Sequence, residues 1–148
     1  MLDIAIAREH PTVEVDEDRL RRAVMAILTD GGIARGEVSI AVVDDVRMHE
    51  LNHRYLDHDY PTDVLSFVLA RDGDHLDGQI IVSADYAARE AVRYGWNAGD
   101  ELLLYTIHGA LHLAGYDDLE PEAKGRMREA ERKYLAQFGL APRYDEED

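Results

Sequence analysis

Two histidines four residues apart, His108 and His112, sit in an otherwise apolar run around Gly109, Ala110 and Leu111. Residues at i and i+4 stack on one face of a helix, with a separation of about 6 Å along its axis. Burying two imidazoles demands two sets of polar partners. A pair of hydrogen-bonded core histidines is one solution. Convergence on a single metal ion is the other, and it requires a third ligand from outside the helix, because the next turn points past the ion. Gly115 can adopt the left-handed conformation that ends a helix, and the chain can then fold back so that Asp118 faces the same point.

The rest of the composition narrows the chemistry. At 148 residues the chain suits one domain with one substantial core. We expect a single domain over residues 1–141 and an acidic, disordered tail over 142–148. There is no cysteine, so disulfides and thiolate ligands are excluded and a transition metal must be held by His, Asp or Glu. This fits a reducing compartment, and we expect a cytoplasmic protein. No apolar stretch approaches the roughly 20 residues that span a bilayer, and the start of the chain lacks the pattern of a secretion signal. The net charge of −15 argues against coating nucleic acid with a broad basic face, but leaves room for a local basic groove.

Periodicity supplies the architecture. Strands are predicted over 2–7, 37–43, 64–70 and 79–83, the second with Val38, Ile40 and Val42 on one face. Asp16 caps a helix to Leu28 with Leu20, Val24, Ile27 and Leu28 as its buried stripe. Further helices follow Asp44-Asp45, carrying Met48, Leu51 and Tyr55; Ser83, running to Tyr94; Gly99-Asp100, containing both histidines; and Pro121, ending near Phe138-Gly139. With one sheet covered by helices and only four strands, the sheet is expected to be mixed.

The run His108-Gly109-Ala110-Leu111-His112-Leu113-Ala114-Gly115-Tyr116-Asp117-Asp118 resembles the signature H-G-x-L-H-L-x-G-Y-D-H of the YbeY endoribonucleases, the rRNA maturation factors. Leu51-Asn52-His53-Arg54-Tyr55, followed by Pro61-Thr62-Asp63-Val64-Leu65-Ser66-Phe67, is similar to the family's L-N-x-x-Y-R and P-T-D-V-L-S-F. Gly78-Gln79-Ile80-Ile81-Val82-Ser83 resembles its G-D-I-x-I-S strand. The resemblance implies an α+β domain with a mixed four-stranded sheet and about five helices. It implies metal-dependent cleavage of single-stranded RNA, trimming of ribosomal RNA at the small-subunit 3′ end, and a role in ribosome quality control. The small ribosomal subunit or its assembly factors would be partners, and a monomer is favoured. One divalent metal, zinc in the family, would be held by His108 and His112, with the third ligand position falling on Asp118.

The sequence departs from the family pattern at three positions. Asp118 replaces the third histidine. A carboxylate still ligates zinc, but it lowers the charge of the centre by one unit, acidifies a bound water less, and admits manganese or iron(II). Leu56 stands where the family has an arginine suited to a phosphate, and Gln79 replaces an aspartate. Catalysis is assigned to metal-bound water with no identified general base; Gly109 occupies the position that carries Glu in zinc proteases. Asp117, His58 and Arg54 are candidates for orienting water or substrate, and Asp63 for capping a neighbouring element. The basic residues Lys124, Arg126, Arg128, Arg132 and Lys133 alternate with Glu122, Glu129 and Glu131, which reads as helix-surface pairing. Two other functions fit: a ribosome-assembly binding protein that keeps a structural metal but has lost efficient cleavage, and a metallohydrolase of another ester or amide.

Overall fold

Short polar side chains start four of the five helices. Asp16 accepts the Arg19 N–H before α1 (Glu17–Asp30), and Asp44 accepts the Arg47 N–H before α2 (Asp45–Leu56). Ser83 does the same for Tyr86 before α3 (Ala84–Tyr94), and Asn97 for Asp100 before α4 (Ala98–Leu113). Pro121 opens α5 (Pro121–Ala136), where its missing N–H costs nothing. The four strands are β1 (Leu2–Arg8), β2 (Arg35–Val43), β3 (Val64–Asp72) and β4 (His75–Ser83). The computed structural model describes residues 1–9, 13–57 and 62–144.

The strands form one sheet in the order β1-β2-β4-β3. β1 and β4 flank β2 in parallel, and β3 pairs antiparallel with β4 through a tight turn at Gly73. The sheet is therefore mixed and the fold is α+β, as expected. Two boundaries moved for physical reasons. β4 begins at His75 rather than Gln79, because pairing with β2 and β3 carries the ladder across Asp77 and Gly78. α4 begins at Ala98 rather than at Gly99-Asp100, because Asn97 Oδ1 takes the Asp100 N–H at 2.9 Å. β3 is an edge strand. Its ladder shifts register between Val68 and Ala70, and Val68 and Leu69 are exposed there.

Alternation along the strands sends side chains to two different cores. Val38, Ile40, Val42, Leu76, Ile80 and Val82 join α1, α3, α4 and α5 in the larger one. Val43, Leu65 and Ile81 meet Met48 and Leu51 of α2 in the smaller one on the opposite face. Tyr55, near the end of α2, is 58% exposed and meets Phe67 edge-on.

α4 is buried on nearly all sides, from Glu101 through Leu113, as an apolar helix must be. It rests directly on the sheet. A Cβ at Gly109 would stand 2.8 Å from Ile80 Cγ2 and 3.2 Å from Val64 Cγ2, and one at Gly78 would stand 3.1 Å from Leu113. The absent side chain between the two histidines thus sets the depth of the helix. Gly109→Ala is expected to destabilise the fold: overpacking costs about 1–3 kcal/mol, offset in part by roughly 1 kcal/mol of helix propensity. Urea unfolding of chelator-treated protein measures this; a midpoint at or above that of the parent would show that α4 can lift from the sheet freely.

Candidate metal centre

The last turn of α4 carries His108 and His112, and the helix stops abruptly after them. Gly115 adopts a φ of +105°, its N–H donates to His112 O, and the Tyr116 N–H donates to Leu111 O at 3.0 Å. This pair of bonds is the Schellman closure expected of a glycine at that place. The reversed chain is then stiffened by Asp117, whose Oδ1 accepts the Leu119 N–H at 2.8 Å. Asp118 is left facing back towards α4.

Both rings present Nε2 to the same point. The two Nε2 atoms are 3.1 Å apart. The Asp118 carboxylate offers one oxygen to each ring, Oδ2 at 3.4 Å from His108 Nε2 and Oδ1 at 3.6 Å from His112 Nε2. Donors about 2.0–2.1 Å from one tetrahedral ion stand about 3.3–3.4 Å from each other, so the spacing suits a small divalent cation. Two ring nitrogens this close need a proton or a cation between them, since facing lone pairs repel. The three side chains are 24%, 29% and 35% exposed, which leaves the point open to solvent on one side. His108, His112 and Asp118 are therefore brought together in a group that can bind a metal ion.

One ring has a further partner: His108 Nδ1 faces Glu131 Oε1 at 3.7 Å. Such an outer contact holds a ligand's tautomer and orientation. Burial alone would depress the His108 imidazole, but the nearby Glu131 carboxylate, helped by Asp118 and Asp63, outweighs it and holds it above its ordinary value of 6.5. His112 shifts the other way, pushed down by burial and by the neighbouring His108.

His108 and Asp118 stand in the wall of a cavity of about 450 Å³. Tyrosines 86, 94, 105 and 144 and the cationic side chains of Arg93, Lys124, Arg128 and Arg143 also line it. Deeper in the same wall, Glu101 is 3% exposed and accepts the Trp96 indole N–H at 2.5 Å. Burial raises the pKa of Glu101.

The other sequence candidates land elsewhere or differently. Asp117 shapes the turn and does not join the ligand group. Arg54 lies on α2, beside the Tyr55 ring, and does not line the cavity. His58 lies outside the described residues. Asp63 caps the start of β3 by accepting the Val64 N–H at 2.8 Å, and also reaches the cavity wall. The reading of Glu131, Lys124 and Arg128 as surface pairs is corrected. Glu131 is only 3% exposed, and both cations face the cavity, because α5 turns that side of itself towards α4. The missed signal was spacing: Glu131 shares the apolar face of Met127, Ala130, Tyr134 and Leu135.

Similarity to known proteins was found at three levels. Residues 5–139 match the model of the family described as Endoribonuclease YbeY. The Endoribonuclease YbeY of Salinibacter ruber is 35% identical over 147 residues, covering 94% of both chains. That of Carboxydothermus hydrogenoformans is 44% identical over 132 residues, 86% of this chain and 92% of the relative. The solution structure of TM1509 from Thermotoga maritima superposes with a TM-score of 0.62 at 26% identity, covering 92% of this chain and 91% of that one.

The opposed histidine shifts give a direct check in metal-free protein. The folded state binds the His108 proton more tightly than the unfolded chain does. That contribution to stability is complete below pH 6.5 and is lost as pH rises through the raised folded value. His112 contributes oppositely: its share is present above pH 6.5 and is lost as pH falls through its depressed value. Glu131→Gln leaves the burial and removes the charge, so the His108 pKa should fall. NMR titration of the imidazole signals reads both positions, and a His108 value unmoved by the substitution would refute the assignment to Glu131.

Proposed function

The chain belongs to the YbeY endoribonuclease family, and from that premise we propose that it is a metal-dependent endoribonuclease that matures ribosomal RNA, cutting single-stranded RNA at the small-subunit 3′ end. The observation that carries this reading is the convergence of His108, His112 and Asp118 on one point in the wall of a cavity. The small ribosomal subunit and its assembly factors are the proposed partners, and the cytoplasm the proposed compartment. Among the described residues no helix is long and apolar enough to cross a membrane.

We assign the ion as zinc, with His108 Nε2, His112 Nε2 and an Asp118 oxygen as its ligands. Three protein ligands is the number used by catalytic zinc sites, which keep a position open. A bound divalent cation supplies Lewis acidity at a phosphoryl oxygen and lowers the pKa of a coordinated water from about 15.7 towards about 7. The protein's own groups do the rest. Glu131 holds the His108 proton at Nδ1, keeping Nε2 free to ligate. Tyrosines line the cavity beside arginines, a mixture suited to the bases and phosphates of an unpaired strand. Lys124 and Arg128 bring positive charge beside Asp118, where a phosphate would sit. The remaining surface of this strongly acidic protein repels RNA, so attraction is concentrated at the cavity.

The test is cleavage of single-stranded RNA by zinc-loaded protein. Wild type should cut, and His112→Ala should lose both stoichiometric zinc and cutting, with affinity reduced by more than the roughly 10–100-fold of an outer-shell change. Equal inactivity of the two proteins would sink the nuclease reading.

Leu56 favours a second reading, that of an assembly protein whose cleavage has faded. It ends α2, is 43% exposed, and stands where the family motif has arginine. If Lys124 and Arg128 supply the charge, Leu56→Arg should change the cleavage rate by less than about threefold, under 1 kcal/mol of barrier. A gain of tenfold or more would support the second reading instead.

A further inference from the structure

Glu131 is a buried carboxylate with its two oxygens committed in different directions. Oε1 faces His108 Nδ1 at 3.7 Å, while Oε2 accepts the Tyr144 hydroxyl at 3.1 Å. A carboxylate held by one donor can rotate about its last bond; a second donor on the other oxygen fixes its plane. Tyr144 is itself held. The Arg128 guanidinium lies 3.7 Å over its ring. Its neighbour Arg143 donates to Tyr94 O at 3.0 Å and Gly95 O at 2.8 Å, and stacks over Trp96. Gly95 is the left-handed cap of α3, so residues 143–144 bridge the end of α3 and the flank of α5 at the wall of the cavity. The segment expected to begin a solvated tail is docked at these two residues, and residues 145–148 lie outside the described residues.

We propose that Tyr144 is a positioning residue of the metal centre, acting through Glu131 to aim Oε1 at His108 Nδ1 and so Nε2 at the metal point. The proposal rests on the metal site assigned above and extends it to the end of the chain. The orienting group is the hydroxyl and not the ring, which keeps its place beneath Arg128 whether or not the oxygen is present.

Zinc affinity, measured by competition with a chromophoric chelator near neutral pH, tests it in the full chain. Tyr144→Phe should weaken zinc binding about fivefold, the worth of one net hydrogen bond, in a chelated protein that still unfolds cooperatively. Glu131→Gln should weaken it by about 10–100-fold. In the double variant, Tyr144→Phe should cost nothing further, because the carboxylate it orients is gone. Should Glu131→Gln not fold, Glu131→Asp replaces it in the cycle, and the Tyr144→Phe result stands alone in any case. Unchanged affinity in Tyr144→Phe, or losses that add fully, would overturn the proposal while leaving the metal site intact. If wild type and His112→Ala bind zinc equally poorly, the metal site itself fails, a result distinct from tight wild-type binding that Tyr144→Phe does not alter.

Discussion

The whole arrangement depends on one electrostatic problem: two imidazole nitrogens held 3.1 Å apart on a tightly packed helix. α4 is held in place because it is apolar almost all round and is pressed on the sheet through a glycine. The rings therefore cannot relax by shifting the backbone. Their repulsion must be answered by a proton or a cation at the point where they meet. The Asp118 carboxylate attracts either one, and the tight turn at Gly115 brings it to that point.

From this point the surroundings follow in layers. An imidazole can ligate only in one tautomer, and the Glu131 carboxylate beside His108 Nδ1 favours the proton on that nitrogen. A buried carboxylate is costly unless it is hydrogen-bonded, so Glu131 requires donors of its own. The acids around the cavity raise the pKa of His108, but they also repel a polyanion. The cations of α5 beside Asp118 offset this locally, without changing the strongly negative character of the molecule.

Much of this was legible in the sequence, where the deciding forces are local. Asp16, Asp44 and Ser83 mark helix starts because a short side chain caps whatever helix follows it. The histidine spacing and Gly115 specify how the two rings and the returning chain converge. Asp118 joining the two histidines was readable on the same grounds. Glu131 was not, because its charged neighbours disguise its place on the apolar stripe of α5, and the direction that stripe faces is set by packing far away in sequence. Tyr144 carries no local signal at all; its position depends on Arg143 finding the α3 cap and on Arg128. The early start of β4 likewise came from strand pairing rather than residue preference.

The break in the ladder of β3 has a consequence beyond the site. An edge strand with free backbone groups invites a second chain to extend the sheet, and Val68 and Leu69 would make such stacking adhesive. The extra residue between Val68 and Ala70 interrupts that template, bending the rim where its side chains are greasiest. Such an interruption works against fibril-like growth along this border.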